Sequence, residues 1–253
     1  MEHAAREAGV SLLRYFSHRD ELIIDTKKPG DFVSQADREA EKIIVDILRA
    51  AHPDWGILGE EGSNEAVSAD GYRWIIDPLD GTTNFLHGVP NWCVTIALEK
   101  DNDIIAAIIF DAIRNEFFHA EKGQGAFLNG KRLSISPEQD LGNCIAGIDG
   151  ALYLEDDMAY LSKIWEKTYA ACASTIVLCT AAMTLAYTAA GRFAVSHVAG
   201  VQPWDVAAGF LLIREAGGIV TDLGLNPAHH SKGQSVAGNP DLHEKYIKII
   251  GLK

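Results

Sequence analysis

Apolar positions recur at helical spacing between Glu2 and Phe16, where Ala5, Ala8, Val10, Leu12, Leu13 and Phe16 predict a first helix. Lys27-Lys28-Pro29-Gly30-Asp31 breaks the pattern and predicts a basic loop able to swing over an anionic site. A second amphipathic helix is expected from Ala36 to Ala51. Ala40, Ile43, Ile44, Ile47 and Leu48 share one face, Arg38, Glu39, Glu41 and Lys42 lie elsewhere, and Ser34 or Asp37 serves as the N-cap. Short apolar runs follow at Gly56 to Gly59 and Trp74 to Ile76, and each ends in acid. β-rich runs at Trp92 to Leu98, Asp103 to Phe110 and Glu116 to Ala120, with turns at Lys100-Asp101-Asn102 and Ile113-Arg114-Asn115, predict an antiparallel meander.

The second half changes character. Strands are expected at Cys144 to Ile148, Phe193 to Val198, Ile219 to Thr221 and Ser235 to Ala237. Helices are expected at Asp156 to Tyr169, at the Ala-rich Thr180 to Ala190, from Pro203 to Ala216 and from Pro240 onward. The change divides the chain into residues 1–140 and 141–253. The first half carries an acidic motif set; the second contributes a further acid and the substrate pocket.

The chemistry concentrates in Trp74-Ile75-Ile76-Asp77-Pro78-Leu79-Asp80-Gly81-Thr82-Thr83-Asn84-Phe85. Pro78 has no N–H, so the strand is expected to stop there. Gly81 permits a sharp turn, and the following hydroxyls and amide suit a helix start. An apolar strand running into two carboxylates is costly unless something pairs them. Glu60 and Asp205 are candidates to join Asp77 and Asp80, with the Leu79 carbonyl between the elbow acids. Asp205 alone would be explained by the helix dipole; with three further acids it reads as a shared site. An all-oxygen donor set selects hard cations, Mg2+ first. Two such ions about 3.5–4 Å apart clamp a phosphate ester and stabilise the leaving oxygen. In that arrangement Thr82 would orient the attacking water, Asp37 or Glu60 would accept its proton, and the Gly81 and Thr82 amides would face phosphate oxygens.

Composition narrows the class. Hydrophobic residues make up 47% of 253 residues, as in ordinary globular proteins. A net charge of −13 argues against nucleic acid or anionic membranes as partners. The cysteines, Cys93, Cys144, Cys172 and Cys179, form no Cys-x-x-Cys pair, and neither a membrane span nor a signal pattern is visible, so a cytoplasmic setting is expected. Gly123, Gly125 and Gly130 have the wrong spacing for a dinucleotide fingerprint, and Asn129-Gly130 reads as a hairpin turn.

Gly59-Glu60-Glu61, Asp77 to Phe85 and Trp204-Asp205-Val206-Ala207-Ala208-Gly209 resemble the three signature motifs of the inositol monophosphatase family, and Val33-Ser34-Gln35-Ala36-Asp37 resembles its upstream motif. The resemblance implies an α+β fold, a layered αβαβα sandwich with mixed and antiparallel sheets. It implies Mg2+-dependent, Li+-sensitive hydrolysis of a small phosphomonoester, with two or three ions per site, by a homodimer. It places metal ligation on Glu60, Asp77, Leu79, Asp80 and Asp205, and catalysis on Glu60, Thr82 and Asp37. Substrate contacts would come from Gly81, Thr82, Thr180, Ala181 and the wall at Val198. Two departures stand out. The family's Arg-x-x-Gly-Ser/Thr-Ala-Ala string reads Ile176-Val177-Leu178-Cys179-Thr180-Ala181-Ala182, and a Glu common in inositol phosphatases is Val198. Inositol 1-phosphate or a related polyol or sugar phosphate is therefore expected. Fructose 1,6-bisphosphate, histidinol phosphate, adenosine 3′-phosphate and a non-catalytic regulatory role are the alternatives. A haloacid-dehalogenase-type phosphatase would place its two acids two apart, not three.

Overall fold

A computed structural model describes residues 1–28, 31–150 and 155–251. In chain order the helices are α1 (Glu2–Ser17), α2 (Gln35–Ala51), α3 (Thr82–Leu86), α4 (Glu155–Ala171), α5 (Ala181–Ala189), α6 (Pro203–Glu215) and α7 (Pro240–Ile250). The strands are β1 (Ile24–Lys28), β2 (Asp31–Ser34), β3 (Gly56–Gly59), β4 (Tyr72–Asp80), β5 (Cys93–Lys100), β6 (Asp103–Asp111) and β7 (Glu116–Glu121). They continue with β8 (Gly125–Leu128), β9 (Lys131–Arg132), β10 (Ile145–Gly150), β11 (Ser174–Ile176), β12 (Val195–Ala199), β13 (Ile219–Thr221) and β14 (Gln234–Gly238).

Two sheets separate three helical layers. Strands β3 to β9 form a seven-stranded sheet in sequence order, and the five-stranded sheet runs β11-β10-β12-β14-β13. Within the larger sheet only β3 and β4 are parallel; β5 to β9 make the expected meander. Amphipathic α1 and α2 bury one face against the larger sheet, where Ala8, Leu12, Ile44 and Leu48 meet Trp74, Ile76 and Ile96. The middle layer is α5 and α6. Ala181 to Ala186 and Val206 to Ile213 are buried without interruption. A helix apolar on every side needs cover on every side, and here Ile75, Ala107 and Ile109 of one sheet and Val198, Val220 and Ala237 of the other supply it. On the outer face of the smaller sheet, α4 and α7 pack through Leu161, Ile164, Leu242 and Tyr246. This is the layered αβαβα sandwich.

The pattern misplaces two local features. The basic stretch predicted as a loop includes paired strands, since β1 and β2 are antiparallel from Ile24↔Ser34 to Lys28↔Asp31; Pro29 and Gly30 lie outside the described residues. Strand β4 does not stop at Pro78. It continues to Asp80 through a register shift between Asp77 and Asp80 opposite β5. A bulge leaves a position unpaired, which accommodates a proline lacking its N–H.

Candidate active site

The parallel register of β3 and β4 sets the first two acids. Gly59 pairs with Ile76, so Glu60 and Asp77 follow side by side at the carboxyl ends of adjacent strands. The Glu60 amide donates to the Ile76 carbonyl at 3.2 Å. The bulge then turns Asp80 back toward Asp77, and Asp77 Oδ1 accepts the Leu79 amide at 2.8 Å. Asp205 arrives from the other half, in the first turn of α6, where its carboxylate accepts the Gln202 amide at 2.7 Å. Thr95, opposite Asp77 on β5, donates to the Trp204 carbonyl at 2.9 Å and pins that turn to the sheet.

One oxygen each from Asp77, Asp80 and Asp205 lies within 4.8 Å of the others. Burial pushes Asp77 well above the usual carboxylate range, and Glu60, Asp80 and Asp205 add their repulsion. Asp205 is raised by burial and then by Asp80 and Glu60. Asp80 is pushed up to about 7 by burial, against the hydrogen bonds of Thr180 and Ala182. Like charges brought so close disfavour joint ionisation unless a cation sits among them. The donor set fits a hard divalent ion. The nearest soft donor, the Cys93 thiol 3.9 Å from Asp80, is buried and held protonated, because burial and the neighbouring carboxylates raise its pKa. Asp77, Asp80 and Asp205, with neighbouring Glu60 and the Leu79 carbonyl, would hold such an ion.

Beside this cluster, Thr82 Oγ1 lies 3.0 Å from Asp37 Oδ1 and 3.0 Å from the Leu79 carbonyl. Asp37 is fully buried at the third position of α2. Its other oxygen accepts the Ser34 amide at 2.9 Å and the Ser34 hydroxyl at 2.6 Å, closing a capping box in which Ser34 is the N-cap. Burial raises Asp37 and these hydrogen bonds partly offset it. Gly81 turns the chain at φ +97°, with its Cα facing the Asn91 carbonyl so closely that a Cβ would sit 3.0 Å from it. That turn starts α3 and presents the Thr82 hydroxyl to Asp37.

Residues 1–251 match the family model described as the inositol monophosphatase family. The chain belongs to that family. It is a phosphomonoesterase, as the family's members are, acting on small phosphorylated substrates. An inositol-1-monophosphatase of Rhizobium meliloti is 40% identical over 99% of this chain and 94% of its own. The Nus factor SuhB of Pseudomonas aeruginosa is 39% identical over 98% of this chain and 93% of its own. Among solved structures, the extragenic suppressor protein suhB of Bartonella henselae superimposes with a TM-score of 0.95 at 41% identity, covering 99% of this chain and 96% of that one.

Against this family frame the substrate side departs from the sequence reading. Val198, expected as a pocket wall, is 1% exposed and sealed in the middle-layer core, because it shares a register position with Asp149 on the sheet face that α5 covers. Ala181 is likewise buried in that core. Thr180 turns inward: its hydroxyl donates to Asp80 at 2.6 Å and caps α5 by accepting the Met183 amide at 3.2 Å. The roles of four residues escaped the sequence reading. Glu41, on the buried face of α2, accepts the Glu61 amide at 2.8 Å and the Ser63 amide at 3.0 Å, and so holds the loop that carries Glu60. Gly59 leaves room for that carboxylate, which a Cβ would approach to 2.5 Å. Asn84 and Asn91 reach across to the second half. The signal available was a charged residue at an otherwise apolar helix position: Glu41 falls between Ala40 and Ile44.

Proposed function

We propose that this phosphomonoesterase hydrolyses a small polyol or sugar monophosphate, inositol 1-phosphate first among the candidates, in a Mg2+-dependent reaction. The observation that carries the reading is the convergence of Asp77, Asp80 and Asp205, oxygen donors within 4.8 Å of one another, from both halves of the chain. The ion would supply charge neutralisation for the phosphate and activation of a water molecule. The chain's own groups orient that water. The Thr82 hydroxyl has one proton; donated to Asp37, it leaves the oxygen lone pairs facing the site, able to accept from water. Asp37, whose pKa is raised by burial, is suited to take up a proton, and Glu60 stands beside Asp77 as the second base. The amides of Gly81 and Thr82, both partly exposed residues, are the proposed contacts for phosphate oxygens.

Two or three Mg2+ ions per site, Li+ sensitivity and a homodimer belong to the same reading and rest on the family resemblance, and a cytoplasmic setting rests on the scattered cysteines. Among the described residues no helix is long and apolar enough to cross a membrane. The name of the Pseudomonas relative raises a second reading, a regulatory role. The retained acids and Thr82 favour hydrolysis over a regulatory role without it. The test is phosphate release from inositol 1-phosphate, fructose 1,6-bisphosphate, glycerol 2-phosphate, histidinol phosphate and adenosine 3′-phosphate, with and without Mg2+. Turnover of a polyol or sugar phosphate that requires Mg2+ is the expected result. Strong preference for the nucleotide or histidinol ester would overturn the substrate assignment.

A further inference from the structure

Asp80 is gripped from the opposite half of the chain. The Thr180 hydroxyl at 2.6 Å and the Ala182 amide at 2.8 Å both donate to the same oxygen, Asp80 Oδ2. These donors sit at the start of α5, and the turn before it is itself held on two sides. From the elbow side, Asn84 Nδ2 donates to the Leu178 carbonyl at 2.9 Å, and Asn91 Nδ2 donates to the same carbonyl at 2.6 Å. From the β10 side, Asp149 Oδ2 accepts the Thr180 amide at 3.0 Å and the Thr184 hydroxyl at 3.1 Å, while its other oxygen accepts the Gly150 amide at 3.0 Å. Between these grips Cys179 takes a left-handed conformation at φ +54°, which a non-glycine residue adopts only when its surroundings hold it there. Asn84, Asn91, Asp149 and Thr180 are all 9% exposed or less.

We propose that Thr180, Asp149 and Asn84 are positioning residues for Asp80. Asp149 and Asn84 fix the turn at residues 178–180, the turn presents the Thr180 hydroxyl and the Ala182 amide, and these fix the orientation of the Asp80 carboxylate. One acid of the site is thereby oriented by donors from the half of the chain that does not carry it. The proposal rests on the reading that Asp80 is a metal ligand. Groups that orient a ligand affect the ion it holds, although they never touch it.

The test is Mg2+ binding to metal-stripped protein by titration calorimetry, without substrate, in wild type, Thr180→Val, Thr180→Ser, Asp149→Asn and Asp80→Asn. Thr180→Val is expected to weaken Mg2+ binding about 10–100-fold, Thr180→Ser to restore most of it, and Asp149→Asn to weaken it as Thr180→Val does. Thr180 also caps α5, so its Val variant should melt earlier; a residue with only that role would lower the melting temperature and leave the Mg2+ affinity unchanged. Should Thr180→Val fail to fold, Asn84→Ser is the second variant, with the same expected loss of affinity. Wild-type affinity in Thr180→Val or Asn84→Ser, beside an Asp80→Asn that has lost binding, overturns the positioning role and leaves the ligand reading intact. Wild-type affinity in Asp80→Asn overturns the ligand reading, and the proposal with it.

Discussion

Thr82 and Asp37 stand 3.0 Å apart across 45 residues of chain, with the Leu79 carbonyl equally close to the threonine hydroxyl. A capping box and a sharp turn, both ordinary local devices, bring them together. Ser34 and Asp37 close the start of α2, and Gly81 starts α3. The pair therefore has a structural role, and the proposed chemical role would fall on the same atoms.

Substitution separates the roles. Thr82→Val retains shape and removes the hydroxyl, so kcat is expected to fall roughly 10²–10⁴-fold with KM little changed. Steady-state kinetics on the preferred ester decides; a change confined to KM would mean that Thr82 binds substrate and does not orient water.

The metal-free protein should lose stability as pH rises. Asp80 is raised from 3.8 to about 7 and Asp149 from 3.8 to about 6 in the folded state. Between the unfolded and folded values these carboxylates, with buried Asp37, Asp77 and Asp205 raised as well, hold more protons in the native protein than in the unfolded chain. His197, lowered to about 4, and His230 and His243, also lowered, act in the opposite sense. Five raised carboxylates against three lowered histidines leave a negative slope of stability against pH. Melting temperature without metal is expected to fall from about pH 4 to about pH 7. Asp80→Asn should flatten that slope, and Mg2+ should raise the melting temperature most above pH 7. A melting temperature that climbs through this window would contradict the charge balance described.

Glu41→Ala deprives two amides of the Glu60 loop of a buried charged acceptor. A loss of about 1–3 kcal/mol in unfolding free energy is expected, together with a lower kcat, because the loop that carries Glu60 is released. Denaturant unfolding and turnover measured on one preparation test both effects; an unchanged kcat would confine Glu41 to a structural role.

The convergence of acids at the candidate site was legible because they lie where local patterns end: Asp77 after an apolar strand, Glu60 after another, Asp205 in a helix's first turn. The layered fold followed from the resemblance carried by the family motifs. The substrate side was not legible. Position along the chain placed Val198 near the site, but the direction of a side chain on a strand depends on register, and Val198 falls on the face that α5 covers. The continuation of β4 past Pro78 was hidden for a similar reason, since a bulge is a property of two strands and only one carries the proline.

Val198→Glu follows from that correction. The substitution would bury a carboxylate on the sheet face that also carries Asp149, and is expected to cost about 3 kcal/mol or more with no gain in selectivity for inositol 1-phosphate. Thermal melts and the ester panel check this; a stable variant with sharpened selectivity would return Val198 to the pocket.

Asp77, Asp80 and Asp205 are proposed to hold the Mg2+ on which hydrolysis depends. The most direct measurement is phosphate release by metal-stripped protein titrated with Mg2+, in wild type and Asp77→Asn. Wild type should be inactive without metal and recover saturably with Mg2+, while Asp77→Asn stays inactive at the same concentrations. Full turnover in the presence of a chelator, or wild-type activity in Asp77→Asn, would contradict it.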